Sequence, residues 1–156
     1  MIIKGLIDED FINYKKPSMV IEMPYCSFKC DKECGQQVCQ NSALAKAENI
    51  SMNTGKLVER YLNNPITKAV VFQGLEPFDS FDDLYDFCET LRYFCDDDIV
   101  IYTGYTEKEI DKQVFLLSEL GNIIIKFGRF IPNSLHKFDN ILGVELASDN
   151  QYAKFI

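Results

Sequence analysis

The chain has 156 residues, 47% of them hydrophobic, and its 16 basic and 24 acidic residues leave a formal net charge of −8. That length supports one sizeable core, so residues 1–156 are expected to form a single domain. The acidic balance argues against a nucleic-acid backbone or an anionic membrane as the main partner. No apolar run reaches the roughly 18 residues of a membrane helix. The amino terminus turns acidic too soon for a secretory signal, and a cytoplasmic location is expected.

Taken in chain order, Met19 to Met23 is β-rich and stops at Pro24. Thr54 to Asn63 reads as a helix that ends before Pro65. Ala69 to Gln73 is a short apolar strand running into Gly74. Phe81 to Phe94 repeats apolar residues at helical spacing, with Ser80 as its expected N-cap. Cys88 and Cys95 fall on that helix's apolar face and read as small buried hydrophobes. Asp96-Asp97-Asp98 is expected as a solvated turn, and Asp98 to Tyr102 as a strand. Thr106 and Glu109 are spaced as a capping box for a helix to about Leu120, ended by Gly121. Asn122 to Phe127 is a third apolar strand, and Ile141 to Leu146 and Tyr152 to Ile156 read as two more.

Alternating strands and helices predict an α/β fold with a mostly parallel sheet. The strands are apolar throughout, as expected when helices cover a sheet. A full eight-fold barrel typically takes about 250 residues, so a partial barrel or an open sheet is expected. Ligands of parallel sheets sit at the carboxyl ends of the strands. The segments Gly74 to Pro77 and Thr103 to Tyr105 both follow strand ends, as does a run of cysteines, so all three are expected to meet on one edge.

That run is Cys26, Cys30, Cys34 and Cys39, four thiols within fourteen residues. Three arrangements compete: a four-thiolate zinc site, disulfides or unligated thiols, and an iron–sulfur cluster. Six cysteines in an apparently cytosolic chain disfavour structural disulfides. Zinc ribbons join two separated pairs, whereas all four thiols here share one loop, which favours the cluster. A cluster held by three thiolates leaves one iron open to a substrate or cofactor. His136 is the only histidine and reads as solvated, which disfavours a Cys–His nucleophile pair.

The pattern Cys26-x3-Cys30 with a third nearby cysteine resembles the radical S-adenosylmethionine superfamily. Within it, the resemblance is closer to the activating enzymes of anaerobic ribonucleoside-triphosphate reductase, a family of glycyl-radical enzyme activases. Cys39-Gln40-Asn41 resembles the family's cysteine–any–Asn, and Gln73-Gly74-Leu75-Glu76-Pro77 its Gly-Gly-Glu-Pro turn. Tyr102-Thr103-Gly104-Tyr105, Gly128-Arg129-Phe130 and Ser148-Asp149-Asn150-Gln151 are similar to later motifs, in the same order.

The resemblance implies a short partial (β/α) barrel with helices on its outer face. It implies a 4Fe-4S cluster on Cys26, Cys30 and Cys39, with Cys34 as the alternative third ligand. Cys39 is preferred because Gln40 and Asn41 follow it and the apolar Val38 precedes it. The implied cofactor is S-adenosylmethionine, with Val38, Gln40, Gly74, Leu75, Glu76 and Pro77 as its binding residues. The implied reaction is reductive cleavage to a 5′-deoxyadenosyl radical, which generates a glycyl radical on a large partner enzyme. A flavodoxin- or ferredoxin-like protein is the implied electron donor. Two features depart from the family: the extra residues Asp31 to Gln37 between the second and third ligands, and Leu75 in place of a second turn glycine.

Overall fold

The computed structural model describes residues 1–156. The elements run β1 (Ile2–Ile3), β2 (Gly5–Asp10), β3 (Ser18–Met23), α1 (Lys29–Cys34), β4 (Ile50–Ser51), α2 (Thr54–Leu62) and β5 (Ala69–Gly74). They continue with α3 (Phe81–Arg92), β6 (Asp98–Tyr102), α4 (Asp111–Ser118), β7 (Ile123–Phe127), β8 (Lys137–Asp139), β9 (Val144–Leu146) and β10 (Tyr152–Phe155). Six strands form the main sheet in the order β10-β7-β6-β5-β3-β2.

The four central strands β3, β5, β6 and β7 are parallel. β2 and β10 add on antiparallel at the two edges. The architecture is therefore α/β with a mixed, open sheet, and no closed barrel forms. β2, which the sequence reading left unassigned, is one of the strands that make the sheet mixed. Its residues Gly-Leu-Ile-Asp-Glu-Asp carry little apolar signal, and it forms by pairing with the buried β3.

The parallel register places the strand ends side by side. Met23 pairs with Gly74, and Tyr102 pairs with Lys126. All four loops that follow the central strands consequently leave from one edge. The outer face carries Met19, Ile21, Met23, Val70, Phe72, Ile99, Ile101, Ile123 and Ile125, packed against Leu57, Val58, Leu84, Phe87, Cys88, Leu91 and Leu117 of the helices. Phe72 and Phe87 meet edge-to-face at 5.2 Å between ring centroids, a geometry that aromatic quadrupoles favour.

Alternate residues of the same strands face the other way. Val20, Val71, Val100 and Ile124 form an apolar layer there, capped by Tyr14, Leu142 and Leu146. Helices thus cover one face, while the opposite face is covered by loop and hairpin over only part of its length.

Several local expectations are corrected. Ser80 precedes α3 but its hydroxyl caps nothing; Glu76 instead accepts from the Phe78 N–H at the start of a 3-10 turn over Pro77–Ser80. The helix itself stops at Arg92, so Cys95 lies beyond it and is only half-buried, while Cys88 is fully buried. The Thr106–Glu109 capping box forms, but it opens a 3-10 turn (Glu107–Ile110) before α4. In the stretch from Ile141 only Val144–Leu146 is strand. Asp97 and Asp98 are more than solvated turn residues, since they accept from Tyr61 Oη at 2.6 Å and Tyr14 Oη at 2.8 Å.

Because Phe87 is fully buried between α3 and β5, Phe87→Ala is expected to cost about 3–5 kcal/mol. Urea denaturation monitored by far-UV circular dichroism would read this as a lower midpoint.

Candidate functional site

The loop after β3 carries the first two thiols of interest. Its first turn is held by Asp79, whose carboxylate accepts from the Ser27 N–H at 2.6 Å and from Tyr105 Oη at 2.6 Å. Phe28 then adopts a left-handed backbone with φ of 51° and opens α1. Cys30 and Cys34 both lie on this helix, which Gly35 ends at φ 67°. The extra residues of the sequence therefore form a helical turn and a return.

The next loop supplies the turn Gly74-Leu75-Glu76. Gly74 has φ of 93°, and a Cβ there would approach Leu44 Cδ2 to 2.9 Å and the Glu22 backbone to 3.0 Å. Only glycine suits this position. Leu75 is not among the residues with positive φ, so the turn requires only its first glycine and Leu75 carries no left-handed strain. Asn41 Nδ2 donates to the Gly74 carbonyl at 2.6 Å and joins the cysteine loop to this turn.

Glu76 connects the third loop. Its carboxylate accepts from Phe78 N at 3.2 Å, Thr103 Oγ1 at 2.7 Å and Gly104 N at 2.8 Å. Burial pushes its carboxyl up to about 7, against these donors, which pull it down. Lys126 is also buried; its ammonium donates to the Thr103 carbonyl at 3.3 Å and the Gly128 carbonyl at 3.0 Å. Desolvation lowers it to about 8, opposed by the Glu76 charge. Gln151 Nε2 and Asn150 Nδ2 bind the Gly128 and Arg129 carbonyls, so the late motif clamps the fourth loop.

These loops enclose a cavity of roughly 420 Å³, within the range of small-molecule and cofactor sites. Cys26, Cys30 and Cys39 line it, together with Gln40, Gly74, Leu75 and Glu76. Of the sequence-predicted binding residues, Val38 and Pro77 do not. Cys34 is exposed and borders a separate hollow on the far side of Cys30. His136 is exposed, 3.7 Å from Glu145.

Glu22, Gln73, Tyr102 and Lys126 also line the cavity, and sequence reasoning overlooked Glu22 and Lys126. The signal was present. Each is a lone charge in an otherwise apolar strand, and such a charge needs a partner or a cavity.

Burial raises the Cys26 thiol to about 11, partly offset by the Phe28 N–H that bonds its sulfur, and burial also raises the Cys30 thiol. Both are protonated thiols near neutral pH and must lose their protons to bind a metal. No three histidine, cysteine or carboxylate side chains converge closely enough to share one metal ion. Thiolates around a single zinc, at about 2.3 Å each, would stand within about 4 Å of one another. Thiols bordering a cavity fit a polynuclear cluster better, because it offers each thiolate its own iron.

A thiol-lined cavity at the carboxyl ends of parallel strands is a site compatible with an iron–sulfur cluster in an α/β protein. The chain belongs to the 4Fe-4S single cluster domain family, whose model matches residues 18–151. It matches no curated protein and no solved structure. No helix is long and apolar enough to cross a membrane.

Two outcomes are expected. Gly74→Ala forces a Cβ into a left-handed turn and should cost about 1–3 kcal/mol, read from the urea midpoint. Glu76 gives a pH dependence. Its acid titrates near 4.5 when unfolded and near 7 when folded, so between these values the folded chain holds more protons. Stability should therefore decline as pH rises through that window and level off above it. Glu76→Gln should remove this part of the slope in denaturation curves compared across the window.

Proposed function

We propose that the protein is a radical S-adenosylmethionine enzyme that activates a glycyl-radical enzyme, with anaerobic ribonucleoside-triphosphate reductase as the expected target. The observation that carries this reading is the shared cavity: three thiols stand over the same space as the Gly74-Leu75-Glu76 turn and the Thr103-Gly104 loop. On this reading the open sheet is a short partial barrel of that superfamily. Cys26, Cys30 and Cys39 would hold the 4Fe-4S cluster, and Cys34, which faces away from the cavity, stays off it. With one electron from a flavodoxin- or ferredoxin-like donor, a bound cluster would supply the reductive cleavage of S-adenosylmethionine to methionine and a 5′-deoxyadenosyl radical, which would take hydrogen from a glycine Cα of the partner.

The chain's own residues bind and orient. The Gly74–Glu76 turn, which lines the cavity, would offer backbone groups to the methionine amino group. Lys126 has three N–H donors and uses two on carbonyls, leaving one for the cofactor carboxylate. The cavity continues past the thiols to Ile12, Asn13 and the β9 residues Val144 to Leu146. Ile12 is 77% exposed, so this end is open. An open end suits a loop of a macromolecular substrate.

No observation favours a four-thiolate zinc module, since Cys34 lies apart from the cavity that holds the other three. The deciding experiment is anaerobic reconstitution with iron and sulfide, then dithionite and S-adenosylmethionine. Brown protein and 5′-deoxyadenosine are expected. Cys26→Ala, Cys30→Ala and Cys39→Ala should each lose the cluster, and Cys34→Ala should keep it. A colourless protein carrying one zinc and no sulfide would refute the reading.

A further inference from the structure

The proposed ligands Cys30 and Cys39 are separated by eight residues, and something must close that span. α1 carries the chain away from the cavity, and Gly35 turns it back. The return is anchored by one atom. Asp31 Oδ1 accepts from the Val38 N–H and from the Cys39 N–H, both at 2.8 Å. No other side chain bonds the backbone between Gly35 and Gln40. Gly35, Gln36, Gln37 and Gln40 are exposed, so core packing does not hold this stretch. Asp31 directly follows Cys30, and the clasp therefore ties the second thiol to the third.

The clasp has an electrostatic side. Backbone N–H groups beside a ligating cysteine ordinarily serve a cluster's sulfurs, and hydrogen bonds to the sulfurs and local charge set the reduction potential. Here the two N–H groups at Val38 and Cys39 are given to a carboxylate, which also brings a negative charge between two thiol positions.

We propose that Asp31 is a positioning residue that closes the span between ligands: it delivers Cys39 to the cavity and holds the cluster's potential low. The proposal rests on the assignment of Cys39 as third ligand, which Cys39→Ala and Cys34→Ala test separately. Asp31→Ala and Asp31→Asn separate the two parts of the role. Alanine removes the acceptor. Asparagine keeps an oxygen for both N–H groups but not the charge.

Each variant is reconstituted anaerobically, challenged with an iron chelator, and titrated for its midpoint potential by electron paramagnetic resonance. Asp31→Ala is expected to retain iron about 10–100-fold more weakly than the unaltered chain. Asp31→Asn should retain it far better than Asp31→Ala, with a midpoint shifted to more positive potential. Asp31 lies outside the apolar core, so both variants should keep the urea midpoint of the cluster-free chain. If Asp31→Ala holds iron as tightly as the unaltered chain and neither variant shifts the potential, the clasp is refuted while a cluster-free Cys39→Ala still upholds the ligand set. If Cys39→Ala keeps its cluster and Cys34→Ala loses it, the ligand reading itself is refuted and the clasp with it.

Discussion

A carboxylate buried at the end of β5 holds the site together. Glu76 has little contact with water and accepts from the start of the following turn, from the Thr103 hydroxyl and from the Gly104 N–H. Burying a charged group unpaired would cost several kcal/mol. Three donors offset part of that cost, and they do so only when the loops after β5 and β6 adopt this one arrangement. Gly104 is held so near the cysteine loop that a Cβ there would stand 3.6 Å from Cys30 Sγ. The position of the thiols thus depends on a bond network that contains no thiol.

Outside the cavity, a second network fixes α1. Arg129 forms two hydrogen bonds to Glu109, at 2.6 and 3.0 Å, and its Nε lies 3.2 Å from Glu33. Lys29 pairs with the same Glu109 and lies 4.3 Å above the Tyr105 ring. Glu109 also closes the capping box with Thr106. One residue therefore joins the cysteine helix, the loop after β6 and the turn after β7. The Arg129 guanidinium holds the Glu109 carboxyl well below the usual range, against slight desolvation. Such exposed pairs contribute modestly one by one, and their effect here is orientation of a short helix that buries no residue of its own.

Much of the frame could be read in the residues. β3, β5, β6 and β7 are apolar runs, and the Gly and Pro residues around them mark their ends. The capping box at Thr106 was legible because it depends on residues three apart. β2 was not, because Leu-Ile followed by Asp-Glu-Asp has no strand pattern of its own, and it forms only with β3 beside it. Ser80 was misread as a cap because a 3-10 turn enters α3 before it. Cys95 was placed on the apolar face of α3 because helical spacing continued past Arg92, where the helix stops.

The sequence by itself determined that thiols follow a buried strand and that two further loops follow neighbouring strands. These are local properties, set by residue type and spacing. Which thiols share a cavity is not local. Cys34 is nearer than Cys39 to Cys30 along the chain, yet only Cys39 borders the space that Cys26 and Cys30 line. Helix α1 carries Cys34 to the outer side, and the Asp31 carboxylate draws the returning chain inward. Glu22 and Lys126 likewise become cavity residues only because the parallel register sets their polar row beyond the edge of the apolar layer. Tertiary structure decided these points, because each depends on which backbone groups a folded chain brings within hydrogen-bonding distance.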